Sequence, residues 1–169
     1  MKKICNLFLI ISIIVLLSGC SSKNESITIT NINGTSENMT INEFIDNARG
    51  NLVSFNNNYV TGTITFYDKI KTIKDGDVII LGEGCSDYGK DWKNNTAVIY
   101  FETEGLVLYI NKGRDNVDIN KLKGGSKVKV TTNISHADIH NDYLQISLAS
   151  YSGKKCEFGI TPTKVELVD

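Results

Sequence analysis

The chain has 169 residues, 41% of them hydrophobic, with 18 basic and 19 acidic side chains and a formal charge of −1. That length suits a single domain with one modest core. It carries no net basic field, which argues against nucleic acid as a partner, because such binding rests on clustered Lys and Arg that displace counterions.

Lys2 and Lys3 precede a mostly apolar run, Ile4 to Leu17, that ends in Ser18, Gly19 and Cys20. A positive start, a short apolar middle and small residues at its end make a secretory signal. A membrane-spanning helix needs roughly 20 apolar residues, and this run is shorter. Leu17-Ser18-Gly19-Cys20 resembles the lipobox of bacterial lipoproteins. The resemblance implies diacylglyceryl transfer to the Cys20 sulfur, cleavage before it and often acylation of the new amine. Residues 1–19 would then be signal peptide, and Cys20 the lipid attachment site holding the chain on the extracytoplasmic face of the cell membrane. Two or three acyl chains, at about 0.8 kcal/mol per buried CH₂, anchor stably where one would not. The alternative is an ordinary secreted protein. Lys2 and Lys3 leave with the signal, so 16 basic residues remain against 19 acidic ones and the net charge becomes −3. A single proline and abundant Asn, Lys and Ile suggest an AT-rich genome and a Gram-positive host.

Residues 20–39 read as the lipidated cysteine and a polar tether, with Ile27 and Ile29 as the one short alternation that could instead add an edge strand. Thr40 and Glu43 then stand three apart ahead of Ile41, Phe44, Ile45 and Ala48, which predicts a capping box and one short amphipathic helix stopped by Gly50.

From Tyr59 the period changes to two, and further β-rich runs follow at 78–81, 96–102, 106–110, 126–134, 143–150 and 164–168. Glu104-Gly105 and His140-Asn141-Asp142 sit where tight hairpins would turn. Residues 40–169 therefore read as one mainly β domain, a barrel or a small β-sandwich. "YVTGTI", from Tyr59, resembles the opening of an OB-fold first strand, and "KLKGGSKVKVTTNI", from Lys121, resembles the turn and fourth strand. With the preceding helix, the stretch from Thr40 to Ser150 is similar to the tRNA-anticodon-binding-like OB domains of bacterial lipoproteins. The resemblance implies an OB-type β-barrel with Gly62 at a corner of its bent first strand. Two departures stand out: Thr132 replaces a second glycine, and about seven candidate strands appear where five would do.

Several side chains suggest chemistry. Tyr88 and Trp92 lie in the loop from Gly82 to Asn95, where aromatics either stack on a planar or sugar ligand or cap a barrel end. Gly82-Glu83-Gly84 in that loop lacks the third glycine and the helix of a dinucleotide site. In an OB barrel the second and third strands would add Tyr100 and Tyr109, and the phase of Val98, Tyr100 and Glu102 against Ile99 and Phe101 predicts Tyr100 outward. His136, Asp138, His140 and Asp142 alternate, which suits zinc or a similar divalent ion or else a solvated hairpin tip. Cys85 and Cys156, the only other thiols of the exported chain, could pair in a disulfide. The lysines at 69, 71, 74, 121, 123, 127 and 129 form a solvated outer face or one that meets anionic lipid or a teichoic-type polymer. No catalytic motif is present and no cofactor is implied, so an enzyme is not expected. The resulting expectation is a lipid-anchored binding or interaction module for an envelope protein, peptide or glycan, with a metal-binding lipoprotein as the rival.

Overall fold

A computed structural model describes residues 26–76, 96–113, 115–152, 157–158 and 162–168. Its elements, in chain order, begin with strands β1 (Ser26–Thr30) and β2 (Ser36–Thr40) and helices α1 (Ile41–Gly50) and α2 (Leu52–Tyr59). They continue with β3 (Thr63–Gly76), β4 (Thr96–Phe101), β5 (Leu106–Asn111), β6 (Lys127–His140) and β7 (Tyr143–Ala149). The short β8 (Tyr151–Ser152) and β9 (Glu157–Phe158) pair with each other, and β10 (Lys164–Leu167) edges the main sheet. A single 3-10 turn, Ile119–Lys121, precedes β6.

The sheet runs β10-β6-β7-β5-β4-β3-β1-β2, and β3 also pairs with β6, which closes β3, β4, β5, β7 and β6 into a five-stranded barrel. Every pairing among those five is antiparallel except β5 with β7, which is parallel. This is an OB-type barrel rather than a sandwich. β3 makes closure possible. Its first half, Thr63 to Lys69, pairs with β6 and its second half, Ile70 to Gly76, with β4, the register shifting between Ile70 and Thr72. Such a shift marks a bulge, which bends a strand and strengthens its twist.

The interior follows the period of two. Ile64, Phe66, Ile99, Leu108, Val130, Ile146 and Leu148 are all buried in one cluster, and Phe66 and Phe101 meet edge to face at 5.2 Å. Both predicted hairpins form. Gly105 sits at φ +93°, and an added Cβ would lie 3.1 Å from the Leu144 carbonyl oxygen. Asn141 and Asp142 both have positive φ, 49° and 64°, the requirement of a two-residue turn whose twist matches its strands.

The polar stretch after Cys20 is not a tether from Ser26 onward. Ile27 and Ile29 are essentially fully buried, and the β1–β2 hairpin adds to β3 through Thr28 opposite Thr65 and Thr30 opposite Thr63. Two buried isoleucines at strand spacing suffice here because β3 presents an edge for them to extend. The capping box is present: Glu43 N–H donates to Thr40 Oγ1 at 3.2 Å, and Thr40 N–H donates to Glu43 Oε2 at 2.7 Å. That backbone bond holds the Glu43 carboxyl below its ordinary range.

The helix runs through Gly50, and Asn51 both ends it and caps a second helix that the sequence did not suggest. α2 was obscured by three consecutive asparagines and only sparse apolar spacing. It plugs the barrel side with Phe55, 5.0 Å from Phe44 and 5.1 Å from Tyr59 between ring centres. Asn56 ties it down by donating to the Ala137 carbonyl at 2.9 Å and accepting from Ala137 N–H at 3.0 Å.

Gly62 is required for a reason other than a barrel corner: an added Cβ would lie 2.7 Å from the Thr30 carbonyl oxygen and 2.9 Å from that of Tyr59. No side chain fits where β1 crosses so close. Gly62→Ala should therefore destabilise the fold by more than about 2 kcal/mol. Gly50→Ala, whose Cβ meets nothing within 4 Å, should be neutral or stabilising by about 0.5–1 kcal/mol. Urea unfolding of the two variants checks the contrast.

Candidate functional site

Residues directly opposite in neighbouring strands share a face, so the register defines the barrel's outer surface. Ile99, Leu108, Ile146 and Ala137 belong to the core. The alternate positions point outward in one band: Lys74 opposite Val98, Val98 opposite Tyr109, and Tyr100 opposite Val107. The band continues with Val107 beside Ser147, Gln145 opposite Asp138, Ser147 opposite His136, and Tyr143 opposite His140. It spans β3, β4, β5, β7 and β6 and holds the candidates Tyr100, Tyr109, His136, Asp138 and His140, with Lys74 at its β3 end.

Tyr100 is half-buried on this outer face, with the Lys74 ammonium 5.2 Å from its ring centre. Tyr109 is on the same face but only 6% exposed, so its ring forms part of the floor. Gln145 Nε2 donates to the Tyr109 hydroxyl oxygen at 3.0 Å and to Ser147 Oγ at 3.1 Å. Burial pushes the Tyr109 hydroxyl pKa up, and the nearby Tyr100 adds to the rise, while the Gln145 and Ser147 hydrogen bonds oppose it. Tyr109 is thus a fixed phenol on a face where Val98, Val107 and Ser147 are also buried and only Tyr100 and Gln145 are half-exposed. An aromatic ring under a lysine beside an amide can take a flat group by stacking and fix it with hydrogen bonds without needing opposite charge.

At the far end of the band, His140 Nε2 lies 3.0 Å from Asp138 Oδ2, and Asp138 Oδ1 accepts from the Ile139 N–H at 2.8 Å. His136 is exposed. Of the residues expected to hold a metal, His136, Asp138 and His140, only Asp138 and His140 come together, and no group of three metal-ligating side chains gathers among the described residues. Strand geometry explains it: residues four apart are about 13 Å apart along β6, whereas ligands sit about 2 Å from a shared zinc. Asp142 belongs to the turn instead. Tyr88, Trp92, Cys85, Cys156 and Cys20 lie outside the described residues.

Gln145 and Ser147 were missed as partners of Tyr109. Their polar positions between Leu144, Ile146 and Leu148 signalled an outward face, but nothing local says that β7 runs beside β5. Two carboxylates, one buried and one half-buried, were also missed. Asp115, 7% exposed, accepts from the Asn111 N–H at 2.8 Å through Oδ2, while its own N–H donates to the Asn111 carbonyl at 2.8 Å. Asp68 accepts from the N–H groups of Lys69 at 2.6 Å and Thr103 at 3.3 Å, which pins the β4–β5 turn to β3. Burial pushes both carboxyls up, against the hydrogen bonds they accept. Both accept hydrogen bonds from backbone N–H groups at strand ends and turns. A shallow hollow of about 360 Å³ between α1 and α2 is lined by Asn47, Asn51, Ser54 and Asn58. Its amides are largely engaged within the helices: Asn51 Oδ1 accepts from Ser54 N–H, and Asn58 donates to Ser54 Oγ.

Among the described residues, no helix is long and apolar enough to cross a membrane. Compared with protein-family models, curated proteins and solved structures, the chain gives no match.

The direction of the Asp115 shift yields a test. A carboxyl raised in the folded state contributes stability that is fully present below its unfolded pKa and lost as pH rises through its folded value. The stability of Asp115→Asn relative to the natural chain should therefore increase as pH is raised from about 3 to about 7. Paired chemical denaturation across that range measures it, and a difference that stays flat or falls with pH contradicts the assignment.

Proposed function

We propose that this chain is a membrane-tethered binding module of the cell envelope, anchored through lipid on Cys20, which takes an extended protein, peptide or glycan segment on the outer face of β4, β5 and β7. The observation that carries the reading is the Tyr100–Tyr109–Gln145 surface, a half-buried ring beside a buried phenol whose oxygen is held by an amide. The second and third strands of an OB barrel are its usual ligand face, and β4 and β5 occupy that place in this barrel. The net negative charge and the absence of a basic surface in the band beyond Lys74 favour ligands held by stacking and hydrogen bonds over nucleic acid. The anchor rests on Leu17-Ser18-Gly19-Cys20 and the apolar run before it.

Two measurements test the two halves. Cys20→Ser should leave the chain unprocessed or release it into the soluble fraction, and a processed chain that stays on membranes contradicts the anchor. Ligands captured on arrays of cell-wall peptides and glycans should lose more than about 1 kcal/mol of binding to Tyr100→Ala while the variant melts like the natural chain. Equal binding by Tyr100→Ala and Gln145→Ala moves the site to another surface.

A further inference from the structure

We propose that the lysine-bearing wall of the barrel, the outer face of β3, β6 and β10, rests on the anionic headgroups of the membrane that holds the chain. On this wall Lys69 stands directly opposite Lys127, Tyr67 opposite Lys129, and Lys164 opposite Thr131. Lys127 and Lys164 are exposed. Among the described residues, two carboxylates face the same wall: Glu102, 3.4 Å from Lys69, and Glu166, opposite Lys129. Four ammonium groups, of Lys69, Lys127, Lys129 and Lys164, against those two carboxylates make a basic surface on a chain whose net charge is negative. Like charges placed directly across strands repel, and Glu102 offsets this on the Lys69 side only, so an anionic surface complements the pair.

The apolar side chains at the same place suit an interface rather than a soluble anion. Tyr67 is 41% exposed with the Lys129 ammonium 5.8 Å from its ring centre, and Val168 is 38% exposed. Val168 N–H donates to the Lys127 carbonyl at 3.0 Å, which sets Val168 beside the lysines, whereas Leu167, opposite the core residue Val128, belongs to the other face of β10. Aromatic and aliphatic groups ringed by lysine match the boundary between headgroups and acyl chains.

The path of the chain selects a membrane as the occupant. β1 runs antiparallel to β3 with Thr28 opposite Thr65, and continuing that register sets Ser26 level with Tyr67. The chain thus enters the domain beside the lysines. Only five residues separate Cys20 from Ser26, a reach of at most about 20 Å. Choosing the membrane rests on the lipid-anchor reading. In that orientation β5 and β7, which do not pair with β3, carry the Tyr109 surface on the side of the barrel away from the bilayer.

Vesicle sedimentation of the processed chain, residues 20–169 with Cys20→Ser, tests the wall without any lipid anchor. It should bind vesicles of phosphatidylcholine with about one third phosphatidylglycerol and stay in solution with phosphatidylcholine alone. Binding should fall severalfold between about 0.05 and about 0.5 M salt as screening shortens. Lys127→Glu combined with Lys129→Glu should lower the bound fraction at least tenfold, as should Lys127→Gln with Lys164→Gln to a smaller, severalfold extent, with melting unchanged or raised. Tyr100→Ala should bind vesicles like the natural chain. No preference for anionic vesicles, or a preference that both lysine variants retain, overturns the proposal. Capture of a soluble phosphodiester polymer with no vesicle binding also overturns it, in favour of a polymer ligand. Failure of the anchor itself is read separately, from the fractionation of full-length Cys20→Ser.

Discussion

One strand has to serve two neighbours along a single edge. β3 meets β1 and then β4 on one side while its first half is held by β6 on the other, and 14 residues laid straight would reach about 46 Å, far too long to stay in register with all three. The bend at Ile70 to Thr72 resolves this, and the closed barrel follows from it. Closure gives each of the five strands a wet side and a dry side, which lets Ile64, Phe66 and Ile70 fill the interior while Tyr67 and Lys69 face out. The loop at Gly125 secures the bend, because its N–H donates to the Ile70 carbonyl at 2.7 Å, just where the β4 pairing changes register.

The start of β3, at the other end of the strand from this bend, is held by backbone hydrogen bonds. Thr61 carries φ +77°, a strained value for a β-branched residue, and its N–H donates to the Ile134 carbonyl at 2.8 Å while Ile134 N–H donates to the Gly62 carbonyl at 2.9 Å. These bonds fix where β3 starts relative to β6. β6 has its own irregularity between Ile134 and His136, and Asn56 of α2 makes both of its amide hydrogen bonds to Ala137 just beyond it. α2 therefore completes a stretch of β6 and closes the barrel side with Phe55 in the same step.

Closure also separates two kinds of surface. The β4–β5–β7 side is built from buried or half-buried aromatics and amides with few charges, and the β3–β6–β10 side from lysines with Tyr67 among them. The two sides differ physically: long, mobile cations on one and a rigid, partly desolvated floor on the other, the division that the proposed tethered module would use. Tyr109 makes that floor rigid because its hydroxyl oxygen already accepts from Gln145.

The local chemistry was legible in the chain itself. The capping box at Thr40, the turns at Gly105 and Asn141-Asp142, the outward phase of Tyr100 and the mainly β character all depend on spacings within a few residues, where period and turn chemistry act, whereas a barrel rather than a sandwich was implied only by the OB resemblance. The tertiary structure decided what depends on neighbours far apart in sequence. Ile27 and Ile29 alone could not announce that β3 had an edge to offer them, and the asparagines of α2 hid a helix stabilised by Phe44, Tyr59 and Ala137 rather than by its own propensity. Gln145 became Tyr109's partner only because β7 lies parallel to β5, and Lys69 faces Lys127 only because β3 and β6 close the barrel. Burial and pairing between distant segments set those relations, and no window along the chain contains both members.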